Sequence, residues 1–498
     1  MASITTVNHS LAHRLGSRQG RVYFKITVSL VIAASFAHLI LGADPFVVIM
    51  GATAFLLSLI PIFRYDVFNI GAILMALIGL RYIGFAIFAK LAVGQTLDSY
   101  LQNPRGAAGV VLVGITGYLC AFMVAAKLST GRPFIKPVLR EKDLGNIAIM
   151  TAIIGMVSAL ALTLQAGQKY SGIAYGNFFV SFLHLALICG IARVLIASDM
   201  SRAVNGFVIV ILAAEITFGM IVNYRMILME TFLCYVITVS SFHYKIYWRQ
   251  LLIIAMFIAL IVVFVTPVFL YARAFRDEQS WAQRIETTMV AVMNWREVYK
   301  YYLVQDERIY NRQSNFNYYG KAQNVFERLS YIKHVDVLKV GTDNYGLVGA
   351  EDFLLGIKRA MPRIILPDKP RGFSHGDWLY NHIAIQHTLG NYATAPLIGN
   401  GYAAFGWMGA FFYPFIFGCI LLVIVKKISG LSLQNNIWAI YLLLRIQNNF
   451  VEGSSGTYIV EILRMLPQDF IIIYCIKMFG ERFVIKRNGK TARVTICK

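Results

Sequence analysis

Apolar residues gather along this chain in runs long enough to cross a hydrocarbon core, which takes about 20 residues of helix. Twelve such runs can be bounded, at 24–41, 45–63, 67–93, 107–126, 147–165, 173–196, 205–222, 226–243, 250–272, 401–425, 433–449 and 458–479. Most connections between them are short, which suits antiparallel neighbours. The exception is a polar interval from Arg273 to Asn400, between the ninth run and the tenth. The pattern predicts an all-α polytopic membrane protein of about 12 transmembrane helices. Helices 1–9 would occupy 1–272, a large helical cap 273–400, helices 10–12 residues 401–479, and a basic tail 480–498.

The interval is patterned rather than featureless. Ile285, Met289, Val292 and Met293 recur at helical spacing, as do Phe326, Leu329, Ile332, Val335 and Leu338. A third run, Phe353 to Ile357, follows the acid pair Glu351 and Asp352. The interval holds 13 acidic residues against 16 Lys and Arg. Short apolar faces and near-balanced charge predict amphipathic helices lying on a membrane surface, not an independent globular domain.

Composition agrees with the pattern. Hydrophobic residues make up 58% of the chain and charged ones only 14%, with a mean hydropathy of +0.62; soluble domains average about 25% charged. The formal charge of +21 raises nucleic acid as a partner, but the cations flank apolar runs, where topology accounts for them. None of the six cysteines lies in the polar interval, and no zinc spacing or disulfide framework is present. The first apolar run carries no cleavable-signal pattern and reads as an anchor.

Charge also sets orientation. Alternate connections carry Arg64; then Lys127, Arg132, Lys136, Arg140 and Lys142; then Arg202; then Lys245 and Arg249; then Lys426 and Lys427. The amino terminus and the tail are equally basic, whereas the opposite connections hold a lone cation or none. Both termini are therefore expected in the cytoplasm and the cap on the far side, periplasmic in a Gram-negative cell.

The centre of the cap is KRAMPRIILPDKP, Lys358 to Pro370. Arg359, Arg363 and Lys369 stand there among prolines that stiffen the backbone. A rigid cationic segment beside a bilayer calls for an anion, either a lipid-linked diphosphate or simply headgroups and the cap's own carboxylates. Arg225 follows the two-residue turn Asn223–Tyr224 and opens an apolar helix. There it either snorkels to the interface or offers a planar fork to phosphate oxygens. Arg328 sits on a helix-patterned segment, where a salt bridge with Glu327 or Asp336 is an equal alternative.

Ionisable groups inside membrane runs are costly, about 2.5–3.5 kcal/mol at the centre on insertion scales. Arg81, Glu215, Glu230, Arg445, Glu452, Glu461, Arg464 and Asp469 lie in or beside such runs. Glu461 and Arg464, three positions apart, are expected to pair. For proton transfer the candidates are His382 and Glu452, with His375 and His387 as neighbours of the first. There is no P-loop, no dinucleotide glycine fingerprint and no Asp-x-Asp clamp, so neither a cofactor nor a metal is expected. A diphosphate leaving group would then be stabilised by Arg and Lys alone.

Four features together resemble the O-antigen (Wzy-type) polymerase family, related to O-antigen ligases and multi-span glycosyltransferases. They are the Asn-Tyr-Arg turn at 223–225, the large external loop two helices later, PRIILPDKP at 362–370, and the small-residue helix entry PLIGNGYAAFGWMGAFF at 396–412. The resemblance implies polymerisation of undecaprenyl-diphosphate-linked repeat units into O-antigen, capsule or exopolysaccharide, at the outer face of the inner membrane. It implies Arg225, Arg363 and Lys369 as diphosphate binders, with Arg328 and Arg359 supporting them, and His382 or Glu452 as base. Partners would be the lipid-linked glycan donor and acceptor, the bilayer, a chain-length regulator and a flippase. Rival readings are an O-antigen ligase acting on lipid A core, a polysaccharide flippase or transporter, and a metal-dependent lipid-sugar glycosyltransferase. A transporter usually shows paired half-repeats, and none is visible here.

Overall fold

Side chains that accept backbone N–H groups start most of the long helices, which is how a membrane-crossing helix satisfies donors it cannot pair internally. The computed structural model describes residues 22, 24–164, 180–222, 225–245, 248, 250, 252, 256, 259–274, 281–301, 318–319, 329–362, 365–366, 375–383 and 395–482. Helix α1 covers Phe24–Ile40 and α2 Pro45–Arg64, the second capped by Asp44, which accepts from Phe46 N at 2.9 Å. Asn69 starts α3 (Ile70–Ala92) and Asn103 starts α4 (Pro104–Lys127) in the same way. There follow α5 (Glu141–Leu164), α6 (Phe182–Ala197), α7 (Gly206–Val222), α8 (Arg225–Ser241) and α9 (Thr266–Ala274).

The interval contributes α10 (Trp281–Met293), α11 (Ile332–Tyr345), α12 (Glu351–Ala360) and α13 (His375–His382). The chain then re-enters the bundle as α14 (Leu397–Ser429), α15 (Ile437–Glu452) and a last helix, α16, over 455–482. Among the described residues the fold is helical throughout, and its one β contact is an isolated bridge between Asn69 and Ser432. Five helices, α2, α3, α4, α14 and the Glu141–Ala161 part of α5, are long and apolar enough to cross a membrane. Shorter apolar helices, Phe24–Ile40, Phe182–Ala197, Gly206–Gly219 and Ile227–Ser241, stand beside them.

Helix α15 lies at the centre, buried from Ile437 through Leu444. Outward faces stay apolar: Ile49, Ile153, Val157, Leu160, Ile209 and Val210 are all exposed, as lipid contact requires. The connections after α2, α4, α8 and α14 meet at one end of the bundle. There Ile70 N donates to Leu431 O (2.9 Å), Phe134 N to Lys427 O (2.9 Å) and Asn435 N to Ser241 O (3.2 Å). Lys426 Nζ caps the last carbonyls of α4, donating to Ala125 O at 2.9 Å, Ala126 O at 3.0 Å and Leu128 O at 2.7 Å. This end holds Arg64, Lys127, Lys426 and Lys427, four of the cations that the charge pattern assigns to a single side.

The opposite end carries the cap, and the cap is fastened by buried polar contacts. Asp336 on α11 accepts from Gln102 N and Asn103 N, each at 2.8 Å, while Lys333 Nζ donates to Tyr100 O at 2.7 Å. Lys90, fully buried at the end of α3, donates to Ser99 Oγ (2.9 Å) and to the Tyr318 carbonyl, with the Tyr318 ring 3.9 Å from its charge. Helix α11 is enclosed on most sides, Ile332, Lys333, Val335, Asp336, Val337, Leu338 and Lys339 all being buried. It is thus set into the bundle end rather than laid on a surface. Asp336 and Lys333 are inside because backbone N–H groups and a carbonyl of the α3–α4 connection receive them, and Lys339 because Asp343 and the Tyr402 ring do, which apolar periodicity does not reveal.

The re-entry at 397 also differs from a simple span. At Phe405 (φ −140°, ψ 25°) and Gly406 (φ 62°, ψ −143°) the helix breaks. The piece before the break folds back on the piece after it, so that Gly401 and Gly409 meet backbone to backbone. Gly406 takes the left-handed region that the reversal requires. Val348 N and Gly349 N donate to the carbonyls of Ala403 (2.9 Å) and Ala404 (3.2 Å), closing the end of the first piece. A run of apolar residues at 401–425 reads as one span because reversal leaves hydropathy unchanged.

Candidate functional site

Residues 452–456, Glu-Gly-Ser-Ser-Gly, form the break between α15 and α16 at the cap end. Two groups of polar side chains converge on it. The first is Glu452, the last residue of α15, whose Oε1 accepts from Arg81 Nη2 at 2.6 Å. Arg81 belongs to a π-turn, Leu80–Gly84, inside α3. Such a turn leaves a carbonyl without its usual helical partner, and here Arg81 O accepts from Tyr331 N of the cap at 2.8 Å. The Tyr331 hydroxyl accepts from Arg81 Nη2, and its ring faces the guanidinium at 4.7 Å. Burial, and then the Glu452 charge, push the Tyr331 phenol well above its ordinary value. It therefore stays neutral. The Glu452 side chain remains 34% exposed, so a carboxylate braced by a cation looks out from beneath the cap.

The second group centres on Asp352, in the first turn of α12 and almost completely buried. Its Oδ1 accepts from His375 Nδ1 of α13 at 2.5 Å. Its Oδ2 accepts from Ser455 Oγ (2.8 Å), Gly456 N (3.0 Å) and Asn400 Nδ2 (3.1 Å). Asn400 Oδ1 in turn accepts from Ser455 N at 3.1 Å. One carboxylate thus joins α12, α13, α14 and α16. Burial alone would raise its pKa, but the His375 bond and charge, with Gly456 N and Ser455, hold it below the usual carboxylate value. Close approach of α12 to α16 depends on glycine, since a Cβ on Gly356 would stand 2.6 Å from Gly456 Cα.

The residues singled out in the sequence are distributed unevenly around this break. Glu452 opens it. Arg359 is half-buried in the last turn of α12, one helix length from Asp352. His382 is exposed at the end of α13, its ring 5.1 Å from that of Trp378. Arg328, Arg363 and Lys369, as well as His387, lie outside the described residues, as does the side chain of Arg225 at the start of α8. Glu461 does not pair with Arg464 but accepts from Asn449 Nδ2 on α15 at 2.7 Å. A π-turn at Glu461–Met465 changes the three-residue register on which that pairing relied.

Asp352, His375, Asn400 and Ser455 together were not legible in the sequence, although Asp352 and His375 each stood out alone. A usable signal was the small polar stretch at 452–456 between two apolar runs, which marks a break where backbone donors need partners. Among the described residues no group of three or more His, Cys, Asp or Glu is placed to hold a metal ion. What the arrangement offers chemically is a carboxylate able to accept a proton, a cation beside it, and a basic stretch whose start is rigidly anchored.

Comparison with curated proteins and with solved structures gives no match. A family model, however, covers residues 112–477, from α4 through the cap to α16, and the chain belongs to that family, described as domain of unknown function DUF8712.

Proposed function

We propose that the protein polymerises undecaprenyl-diphosphate-linked oligosaccharide repeat units into a surface polysaccharide, without metal, at the outer face of a bacterial inner membrane. In this reading the basic end of the bundle and both termini are cytoplasmic, and the cap faces the periplasm. The observation that carries the reading is the anchoring of α12. Asp352 ties the start of that helix to the 452–456 break, so the basic stretch 358–370 leaves from a fixed point at the cap end of the bundle. Arg359, Arg363 and Lys369, with Arg225 and Arg328, cradle the diphosphate of the donor. Glu452 is the favoured base for the acceptor hydroxyl, because it sits at the break with a cation beside it, whereas His382 is turned to solvent.

The test uses membrane vesicles holding the full chain and a lipid-linked repeat unit, with product length read on a gel. Arg363→Ala is expected to stop extension, Arg363→Lys to restore it in part, and chelation of divalent metal to change nothing. Full-length polymer from Arg363→Ala defeats the assignment. Glycan transferred to lipid A core, and not to a second carrier lipid, makes the protein a ligase instead.

A further inference from the structure

The bundle interior holds carboxyl groups that the 452–456 site does not use. Asp469 on α16 lies against Arg445 of α15, with Arg445 Nε 3.5 Å from Oδ1. Glu230 on α8 accepts from Asn448 Nδ2 at 2.6 Å, and Glu461 has Asn449. Glu215, in the middle of α7, is different. It is 1% exposed, neither of its carboxyl oxygens receives a hydrogen bond, and, unlike Asp469 with its Arg445, it has no cation paired with it among the described side chains. The nearby Thr231 hydroxyl does not serve it, because it donates to Ile227 O at 2.8 Å within its own helix.

The groups that face Glu215 can be named element by element. Helix α6 brings His184, and α8 brings Glu230 and the buried Cys234. Helix α5 packs on α7 with its ionisable residues confined to 141–143, at the basic end, and α10 crosses with Glu286 exposed. Among the described side chains no Lys or Arg pairs with Glu215. A carboxylate in such a place costs several kcal/mol, which the His184 imidazole alone offsets in part, while a carboxylic acid costs far less. Glu230 also faces the Arg445 guanidinium of α15, which leaves Glu215 the carboxyl group of the two that ionises less cheaply beside the one imidazole. Ionisable side chains inside a membrane bundle mark sites of ion or proton traffic by default.

We propose that Glu215, with His184 and Glu230 beside it, forms a proton-binding site inside the bundle. The ligand is a proton, held on Glu215 and passed within the three-residue group. This site is separate from the 452–456 break and does not depend on the glycan-transfer reading.

Dicyclohexylcarbodiimide tests it on the full chain in lipid vesicles. The reagent adds to a protonated carboxyl in an apolar setting. The acid proton goes to one carbodiimide nitrogen, the carboxyl oxygen bonds to the central carbon, and rearrangement leaves a stable acylurea. Mass spectrometry should find the adduct on Glu215, absent from Glu215→Gln. Its rate should fall by roughly tenfold for each pH unit above the titration of the site. Infrared difference spectra, which need no reagent access, should show a protonated-carboxyl stretch that shifts in heavy water and is missing from Glu215→Gln. Absence of both signals overturns the proposal. So does labelling that ignores pH, or labelling removed by sodium ion at constant pH, which would make the group a cation site.

Discussion

His375 Nδ1 lies 2.5 Å from Asp352 Oδ1, although 23 positions separate the two residues in the chain. Gly456 is wedged against both, its Cα facing the His375 ring and the Asp352 carbonyl. The pair therefore does more than join two cap helices. Because Asp352 also receives Ser455 and Gly456, α13 is coupled to the break between α15 and α16 both through this carboxylate and through direct contact of the His375 ring with Gly456. Four hydrogen bonds converge on that group, and bonds to a charged partner contribute about 1.5–3 kcal/mol each.

Asp352→Ala should accordingly be among the most damaging single changes in the cap. It leaves Ser455 Oγ, Gly456 N and Asn400 Nδ2 with no acceptor in a buried place, an expected loss of about 3–5 kcal/mol. Asp352→Asn keeps one oxygen and should lose less. Thermal unfolding in detergent and protease cleavage within 281–383 measure the two effects. Equal stability of wild type and Asp352→Ala would show that the cap docks by other contacts.

The same carboxylate gives a pH prediction with a definite sign. Its folded pKa lies below the ordinary 3.8, so the unfolded state binds the proton more readily. The stability it contributes is fully present above the ordinary value and is lost as the pH falls through the lower, folded one. Cap docking should thus hold near neutrality and weaken steeply under acid, below about pH 4. Protease sensitivity of the cap followed against pH should show this loss, and Asp352→Asn should flatten it.

Packing at the crossing of α12 and α16 is equally specific. A methyl on Gly356 meets backbone, not the end of a flexible side chain, so the helices must separate. Gly356→Ala should cost about 1–3 kcal/mol, and Gly356→Val more. The change removes no polar group, but parting α12 from α16 also strains the Asp352 bonds to Ser455 and Gly456. A drop in melting temperature together with loosened α12 is therefore the expected result. Unchanged melting would mean that the helices have room to part.

These contacts mark the boundary of what the chain announces in its sequence. Helices such as α2 and α4 are legible because a hydrocarbon core demands an unbroken apolar length, while their starts at Asp44 and Asn103, each followed by a proline, emerge only in the structure. The grouping of Arg64, Lys127, Lys426 and Lys427 at one end follows from the same reading. The fold-back at Phe405–Gly406 was not legible, since an apolar stretch looks the same whether it runs on or turns round. Glu452 could be picked out as a costly charge beside an apolar run. Its partner Arg81 was equally conspicuous, but nothing local says that residues 371 positions apart meet. The enclosed charges of α11 escaped for the opposite reason: a helix that reads as amphipathic is expected to turn its Lys and Asp to water, and here backbone replaces water at Lys333 and Asp336, and Asp343 with the Tyr402 ring replaces it at Lys339.

The Arg81–Glu452 pair separates a chemical role from a bracing one. If the carboxylate takes a proton from an acceptor hydroxyl, Glu452→Gln keeps its shape and a hydrogen bond to Arg81 but removes the proton acceptor. Turnover should then fall by about 10²–10⁴, with little change in KM. Stability should fall only modestly, because Gln keeps a hydrogen bond to Arg81 and the Glu452 side chain is partly exposed. Arg81→Lys keeps the charge but gives up the planar fork that touches both Glu452 and Tyr331, so it should lower activity and melting temperature together. The double variant sharpens the distinction. For a pure brace, the two single variants lose activity equally and the double is no worse than either. For a base, Glu452→Gln is far the more damaging of the two, and adding Arg81→Lys to it changes turnover little. Chain extension measured in all four proteins decides between them, and equal single losses would remove Glu452 from the chemistry.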